Sequence, residues 1–325
     1  MRIVYTPKYD LPAHYLGRGL HPFDLRKYSR AYKLIREWFG RRLGDLTIAP
    51  PRAIHRDELL LVHTAEYLDK LRAPAYLAQA VEVPLVAKLP AWLTDKLVLR
   101  PMRWATMGTV VAAREALAAG LAVNLSGGYH HAKPDGAEGF CSYADIAIAV
   151  AMLRREGLLG ENRRIAYVDL DAHQGNGVSH CFLHDPRAFL FDVYNAGIYP
   201  AYDRLARERI DCDVPVWPGC RDDEYLGHLH DRLPGFLDSI VRGEPVGLAI
   251  YNAGTDIYAG DALGGLSISA DGVLERDLFV VDQLRQRGIP TVMLLSGGYS
   301  EASHRLVANS VRRLIEKHAQ PFDAT

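Results

Sequence analysis

The chain has 325 residues, of which 49% are hydrophobic and 24% are charged, a composition typical of globular proteins. With 38 Lys and Arg against 39 Asp and Glu, its net charge is −1, so we expect no direct binding to nucleic acid. We also expect neither a signal peptide nor a membrane span, because the apolar runs are shorter than the roughly 18 residues that a spanning helix needs.

The four cysteines, Cys141, Cys181, Cys212 and Cys220, form no C-x-x-C pair. A structural zinc site built from cysteines is therefore not expected. A chain of this length does not need disulfides for stability, so the cysteine spacing predicts reduced thiols and a cytoplasmic location.

Periodic apolar positions predict helices in seven parts of the chain. They lie at residues 29–39, 57–72, 100–119, 144–156, 222–242, 272–287 and 301–318. Pro234 interrupts the fifth of these patterns, so we expect a break or kink there.

Short apolar runs between the helices predict strands. They lie at residues 3–5, 122–125, 165–170, 188–193, 246–251 and 291–295. Most of these runs are apolar throughout, so both faces of each strand should be covered by helices. With no internal repeat and no linker, the sequence predicts an α/β fold with a mostly parallel central sheet. We expect it to form a single three-layer α/β/α domain over residues 1–325.

Four of the predicted strands run directly into Gly-rich or polar loops. The loops occupy residues 126–131, 171–177, 252–256 and 296–299. In open parallel sheets, binding sites form in the crevice at the carboxyl ends of the strands. We therefore expect the histidines, aspartates and tyrosine of these loops to meet in one site.

Asp169, Asp171 and His173 occupy alternate positions at the end of one predicted strand. Alternation places all three on one side, where Asp171 and His173 could bind one metal ion with Asp169 behind them. Alone, the D-x-D-x-H pattern is weak evidence for a metal site, because Asp and His also cap helices and turns in such loops. Asp256 strengthens the prediction of a metal site, since an Asp/His/Asp set leaves zinc an open position for water and substrate. Tyr299, after two glycines, could reach a developing oxyanion.

These residues belong to several longer motifs. S-G-G-Y-H-H at 126–131, E-G-F-C at 138–141, V-D-L-D-A-H at 168–173 and S-G-G-Y at 296–299 resemble motifs of the zinc-dependent histone deacetylases. Others are similar to those of the class IV branch: H-P-F-D at 21–24, A-H-Q-G-N-G at 172–177, D-V-Y-N at 192–195, D-D-E-Y-L at 222–226 and Y-N-A-G-T-D at 251–256. The resemblance runs from about residue 2 to residue 312. It implies the arginase/deacetylase-like fold and hydrolysis of acyl-lysine amides in a protein or peptide substrate.

The resemblance also implies the metals. One zinc ion per chain is implied, with the ligands Asp171, His173 and Asp256. A K⁺ ion held by backbone carbonyls around Asp169, Asp171 and His173 is a further implication of the family pattern. The sequence does not indicate an oligomeric state.

The catalytic roles are implied in the same way. His131 corresponds to the general base and acid, and His130 to its partner histidine. Asp169 corresponds to the carboxylate behind His130, and Tyr299 to the tyrosine that stabilises the transition state. Asn176 stands where class I members have a second carboxylate, a difference that class IV members share.

Four residues are expected to contact the substrate: Gly139, Phe140, Tyr199 and Leu263. The first two correspond to one wall of the acyl-lysine tunnel, and Tyr199 to the opposite wall. The class IV resemblance implies longer acyl groups, and glycines follow Leu263, so one hypothesis is a pocket for a longer acyl chain. His14 and His21 are candidates for the tunnel entrance.

Three alternatives remain. A ureohydrolase of the arginase type needs two manganese ions and a second carboxylate in D-x-H-x-D, where this chain has Gly175. An acetylpolyamine or other small-molecule amidohydrolase would have the same catalytic set. A catalytically silent acyl-lysine binding protein would have lost a ligand, the base or Tyr299, and this chain keeps all of them.

Overall fold

The computed structural model describes residues 1–12 and 24–319, and their strands form one eight-stranded sheet. The strands are β1 (Arg2–Val4), β2 (Thr47–Ile48), β3 (Leu121–Asn124), β4 (Arg164–Asp169), β5 (Ala188–Asn195), β6 (Cys212–Val216), β7 (Val246–Asn252) and β8 (Thr291–Leu294). Each pair of neighbouring strands in this sheet runs parallel. The predicted α/β fold with a parallel sheet is therefore confirmed, and the six predicted strands occur close to their expected bounds.

The strand order is β2-β1-β3-β8-β7-β4-β5-β6. The two strands that the sequence did not predict, β2 and β6, are therefore the two edges of the sheet. β6 reads C-D-V-P-V, and its aspartate and proline interrupt the apolar run. Pro215 has no N–H to donate to a neighbouring strand, which an edge strand tolerates.

Helices cover both faces of this sheet. They are α1 (Lys27–Phe39), α2 (Arg41–Leu46), α3 (Arg56–Leu59), α4 (Ala65–Lys70), α5 (Pro74–Ala80), α6 (Ala91–Thr94), α7 (Arg100–Ala119), α8 (Asp145–Arg155), α9 (Asn176–Cys181), α10 (Arg204–Glu208), α11 (Asp222–Val241), α12 (Ala270–Gln286) and α13 (Ser303–His318). α7 packs on α8 and on the sheet, and α12 packs on α11 and α13. Because β3 and β8 are buried along their whole length, both of their faces are covered, as the apolar runs predicted.

One predicted helix, residues 57–72, is instead two short helices, α3 and α4. Thr64 begins the second helix, because its side chain accepts a hydrogen bond from the backbone N–H of Tyr67 at 3.2 Å. The buried His63 ring just before it accepts a hydrogen bond from the Ala144 backbone N–H at 3.0 Å. The division depends on a contact with a distant part of the chain, which local periodicity does not reveal.

Of the predicted break or kink at Pro234, the break does not occur, since α11 runs through this residue from Asp222 to Val241. A proline inside a helix costs about 3 kcal/mol. The apolar stripe stays in phase on both sides of Pro234, and seven of its side chains are buried. Burial of one such side chain contributes roughly 1.5–3 kcal/mol, so the stripe outweighs the proline.

Three further sequence predictions concern the chain as a whole. Among the described residues, no helix combines the length and the apolar character needed to cross a membrane. The four cysteines are all unpaired. His14, His21 and most of the H-P-F-D motif lie outside the described residues.

Candidate metal centre and active site

Four loops meet at the carboxyl ends of the central strands because the strands before them are neighbours. Strands β3, β8, β7 and β4 are consecutive in the sheet, and each runs into one of the polar loops singled out in the sequence. Backbone hydrogen bonds join these loops, from Ser296 N–H to Gly127 O at 3.1 Å and from Leu170 N–H to Asn252 O at 3.0 Å. The strand order therefore brings the histidines, aspartates and tyrosine of the loops into one crevice.

Three buried side chains, Asp171, His173 and Asp256, present one possible ligand atom each, and these atoms lie within 4.8 Å of one another. His173 Nδ1 is 3.1 Å from Asp171 Oδ1 and 3.0 Å from Asp256 Oδ2. The other oxygen of each carboxylate accepts a backbone N–H, from Gly297 to Asp171 Oδ2 at 2.8 Å and from Ala172 to Asp256 Oδ1 at 2.9 Å. These bonds turn one oxygen of each carboxylate toward the imidazole.

The electrostatics of this set favour a bound cation. Burial and the charge of Asp171 raise the pKa of Asp256 to about 7. Burial alone would lower the pKa of His173, but hydrogen bonds to Asp171 and Asp256 raise it to about 10. Two buried carboxylates thus require positive charge between them. Two oxygens and one imidazole nitrogen form a donor set that fits zinc and leaves a coordination position open.

His130 is held by a buried carboxylate. Its Nδ1 lies 2.9 Å from Asp169 Oδ2, which also accepts a hydrogen bond from the Tyr167 hydroxyl at 2.5 Å. The other oxygen, Asp169 Oδ1, accepts from Asn252 Nδ2 at 3.0 Å. Burial alone would lower the pKa of His130, but Asp169 and Asp171 raise it to about 8. His130 is therefore largely protonated at neutral pH.

His131 has an amide behind it instead of a carboxylate. Its Nδ1 lies 2.7 Å from Asn176 Oδ1. Burial and the charges of His130 and His173 hold the pKa of His131 well below its usual range. Asn176 is the first residue of α9, after the N-cap Gly175, and its Oδ1 faces His131 Nδ1, so helix capping does not explain its presence. Two neighbouring groups whose pKa values are pushed apart suit an acid and a base, and His131 is the neutral one.

Tyr299 lies next to His173, with ring centroids 6.2 Å apart and ring planes at 83°. Its backbone N–H donates to Asp261 Oδ2 at 2.6 Å. Two residues earlier in the loop, the carbonyl oxygen of Gly297 accepts a hydrogen bond from the buried Lys27 ammonium at 2.6 Å. The loop that carries Tyr299 is therefore held at two points.

Gly139 and Tyr199 lie beside His131, and Phe140 lines the same cavity as Gly139 and His130. A Cβ at Gly139 would collide with the His131 ring, and the φ angle at Gly139 is +55°, so both the space and the backbone favour glycine. The Tyr199 ring centroid is 5.1 Å from that of His131. Leu263, by contrast, is 39% exposed, and its backbone N–H donates to Asp261 Oδ1 at 3.0 Å.

A small cavity of about 30 Å³ lies among these loops, where Gly128, His130, Phe140, Cys141 and Tyr299 contribute to its lining. One water molecule needs roughly 10–15 Å³ of such space. The cavity therefore suits a group of only a few non-hydrogen atoms.

Sequence reasoning assigned no role to five polar residues that hold this site together: Glu138, Asp145, Asp192, Asn252 and Asp261. Asp145 shows what they do, since its two oxygens accept the backbone N–H groups of Gly128 and Tyr129, both at 2.9 Å, and so hold the loop before His130. A signal was present for two of them, because Asn252 is a polar residue at the end of an otherwise apolar strand and Asp192 interrupts the apolar run of β5.

A parallel α/β sheet with a buried Asp/His/Asp set and a histidine pair at the carboxyl ends of its strands defines the class of a metal-dependent hydrolase. A family model described as "Histone deacetylase domain" matches residues 21–315. The chain is 40% identical over 316 residues to Histone deacetylase 2 of Arabidopsis thaliana, covering 96% of this chain and 78% of that relative. It is 32% identical over 310 residues to an uncharacterized protein of Picosynechococcus sp., covering 94% of each.

Two solved structures are similar in fold. The crystal structure of the HDA15 HD domain has a TM-score of 0.73 and 19% identity, covering 98% of this chain and 90% of that one. The structure of an HDAC homologue complexed with SAHA has a TM-score of 0.73 and 23% identity, covering 99% and 85%. The chain belongs to the histone deacetylase family. It is therefore a hydrolase of a zinc-dependent family, as the sequence motifs predicted.

Proposed function

We propose that this protein hydrolyses acyl-lysine amides with one zinc ion, which Asp171, His173 and Asp256 would bind. The observation that carries the proposal is that the metal ligands, a neutral histidine and a tyrosine lie together in one crevice. A buried set of metal ligands lies beside the neutral imidazole of His131, with ring centroids of His131 and His173 6.0 Å apart. Tyr299 lies on another side of His173.

The chemistry that bound zinc supplies is Lewis-acid polarisation of the acyl carbonyl and of the attacking water. His131 accepts the proton that the water loses as its oxygen bonds to the carbonyl carbon. The Tyr299 hydroxyl donates a hydrogen bond to the developing oxyanion. When the carbon–nitrogen bond breaks, a protonated imidazole of the histidine pair donates a proton to the leaving lysine amine. The products are a carboxylate and a free lysine side chain.

One metal ion fits this site better than two. A second bridging carboxylate, as in the arginase type, would have to stand at Gly175. A Cβ at this position would collide with Asp169 Oδ2, which also holds His130. The backbone at residue 175 thus has no room for a ligand without loss of the Asp169 contact.

We also propose a K⁺ ion beside Asp169 and Asp192, which are paired residues on β4 and β5. The K⁺ proposal is supported by Asp192 Oδ1, which is buried and has no hydrogen-bond partner among the described residues. A buried polar group without a partner costs roughly 1–3 kcal/mol. Replacing KCl by choline chloride should therefore lower the melting temperature, and the Asp192→Asn variant should respond less.

The substrate proposal favours a short acyl group, such as acetyl. The cavity of about 30 Å³ beside His130 and Tyr299 supports it. The glycines after Leu263 do not support a longer chain, because a Cβ at Gly264 would collide with the Asp256 carbonyl oxygen. That glycine serves the close packing of the two loops rather than a pocket.

Two finer proposals rest on the sequence. The motifs at 172–177 and 251–256 support the class IV branch, within one catalytic domain over residues 1–325. The four unpaired cysteines support a reducing, cytoplasmic location.

The experiment is a panel of peptides that differ only in the lysine acyl group, from acetyl to myristoyl, together with acetylpolyamines. The zinc-loaded protein should give the highest kcat/KM with an acetyl-lysine peptide. Preference for acetylpolyamines would replace the peptide proposal by the small-molecule amidohydrolase. Binding of acyl-lysine without turnover on the whole panel would identify a silent binding protein.

A further inference from the structure

Asn176, the residue behind His131, has all of its amide hydrogen-bonding groups occupied. Its Oδ1 faces His131 Nδ1 at 2.7 Å. Its Nδ2 faces two carboxylates, Glu138 Oε1 at 2.6 Å and Asp203 Oδ2 at 3.2 Å. A carboxylate accepts hydrogen bonds and cannot donate them when ionised. The amide therefore has one favourable orientation, because a flip would turn its oxygen toward both carboxylates.

The orientation of this amide decides which nitrogen of His131 has the proton. Asn176 Oδ1 can only accept, so neutral His131 must be protonated on Nδ1. Its lone pair then lies on Nε2. A flipped amide would donate to Nδ1 and place the proton on Nε2, where no base would remain. In the serine protease triad, an amide that imposes the wrong tautomer lowers kcat by roughly 10⁴.

The two carboxylates are themselves held in place. Lys133 Nζ lies 2.8 Å from Glu138 Oε1 and 3.0 Å from Asp203 Oδ2. His180 Nε2 lies 3.0 Å from Asp203 Oδ2. Burial would raise the pKa of Asp203, but hydrogen bonds from Lys133, Asn176 and His180 lower it to about 2, so Asp203 stays ionised. The cluster of Glu138, Asp203, Lys133 and His180 thus presents acceptors to the Asn176 amide.

We propose that Glu138 and Asp203 are positioning residues that hold the Asn176 amide in one orientation and thereby fix the Nδ1-protonated tautomer of His131. The proposal rests on the proposed function, since it explains how the base of that reaction is kept in its reactive tautomer. Glu138 also lies near the crevice, and its side chain is 30% exposed. A direct contact with the substrate is therefore the competing explanation, and it has different kinetic consequences.

The first test is a double-mutant cycle with Glu138→Ala and Asn176→Ala, measured as kcat and KM on an acetyl-lysine peptide. Glu138→Ala should lower kcat by about 10-fold or more with little change in KM, a part of the roughly 10⁴ cost of a wrong tautomer. In the Asn176→Ala background, the same substitution should have no further effect on kcat. Glu138→Gln, which keeps an acceptor oxygen, should restore most of the kcat. A raised KM at unchanged kcat, or equal effects of Glu138→Ala in both backgrounds, would overturn the proposal in favour of substrate contact.

Two further variants serve as a control and as a substitute for Glu138→Ala. Glu161→Ala removes an exposed carboxylate before β4, at the opposite end of this strand from the site, and should behave as wild type. If Glu138→Ala does not fold, Asp203→Ser takes its place in the cycle. Asp203 caps α10 by accepting the Ala206 N–H at 3.2 Å, and serine can still cap while being too short to reach Asn176.

The second test does not depend on turnover. ¹⁵N chemical shifts of the His131 ring, in the zinc-loaded protein, report which nitrogen is protonated. Wild type and Glu138→Gln should show protonated Nδ1 and unprotonated Nε2, and Glu138→Ala should show a mixture. The same tautomer in all three proteins would overturn the proposal. If wild type hydrolyses no acyl-lysine at all, the proposed function fails, and the ring shifts still decide the role of Glu138.

Discussion

The imidazole rings of His130 and His131 lie 4.0 Å apart between centroids, yet their surroundings favour opposite protonation states. His130 has the Asp169 carboxylate behind it, and His131 has the Asn176 amide. A carboxylate stabilises an imidazolium, whereas an amide has no net charge to do so. The protonated His130 then disfavours a second positive charge on His131. The pair can thus supply an acid and a base at the same pH.

We predict a bell-shaped dependence of kcat/KM on pH. On the acidic side, activity should fall when His131 is protonated, which burial and the neighbouring positive charges shift to below the usual pKa of 6.5. On the basic side, activity should fall when His130 loses its proton, and the Asp169 carboxylate holds the pKa of His130 above its usual 6.5. Because kcat/KM reports groups of the free enzyme, His130→Ala should abolish the basic limb. A basic limb that stays in this variant would assign the ionisation to another group.

Asn176→Asp should move the acidic limb to higher pH, because a carboxylate behind His131 stabilises its protonated form. The variant should also be less stable at pH 7, by about 1–3 kcal/mol, since the new carboxylate faces Glu138 and Asp203. Urea unfolding at several pH values measures this, and the loss should shrink at low pH as the carboxylates are protonated. Adding Glu138→Gln should recover part of the stability. Equal stability of the variant and wild type at pH 7 would contradict the observed contacts.

Tyr299→Phe should lower kcat by on the order of 10²–10³, the cost of removing one donor to an oxyanion. Its zinc content and melting temperature should stay close to wild type, because phenylalanine keeps the backbone N–H that donates to Asp261 Oδ2 and holds the loop. Tyr32→Phe, on α1 beside the edge strand β2, is the matched control and should keep full activity. If Tyr299→Phe retains kcat within about threefold, then this hydroxyl is not the oxyanion donor.

Much of the fold followed from the sequence because the signals were local. Strands β3, β4, β7 and β8 are continuous apolar runs that end in polar loops, so both the parallel sheet and the position of the crevice could be predicted. The edge strand β6 was missed because Asp213 and Pro215 interrupt its apolar pattern. Helix 57–72 was predicted as one element because the contact of His63 with Ala144 is not visible in local periodicity.

Asp169 and Asn176 were found by motif resemblance, but the contacts that hold the orienting side chains could be found only in three dimensions. Glu138 and Asn176 are 38 positions apart, and Lys27 and Gly297 are 270 apart. Motif resemblance pointed to the residues of the crevice and to the two that lie directly behind its histidines. The side chains that orient them depend on how separate loops pack together, which no spacing in the chain specifies.

The most direct measurement is a titration of the metal-free protein with zinc, in which metal content and hydrolysis of an acetyl-lysine peptide are followed together. Activity should rise linearly and reach its plateau at one zinc per chain, because Asp171, His173 and Asp256 form one donor set. Asp256→Ala should lose bound zinc and activity together, whereas Asp231→Ala, at an exposed carboxylate on α11, should match wild type. A plateau at two metal ions per chain, or full activity in the metal-free protein, would contradict a single-zinc acyl-lysine hydrolase.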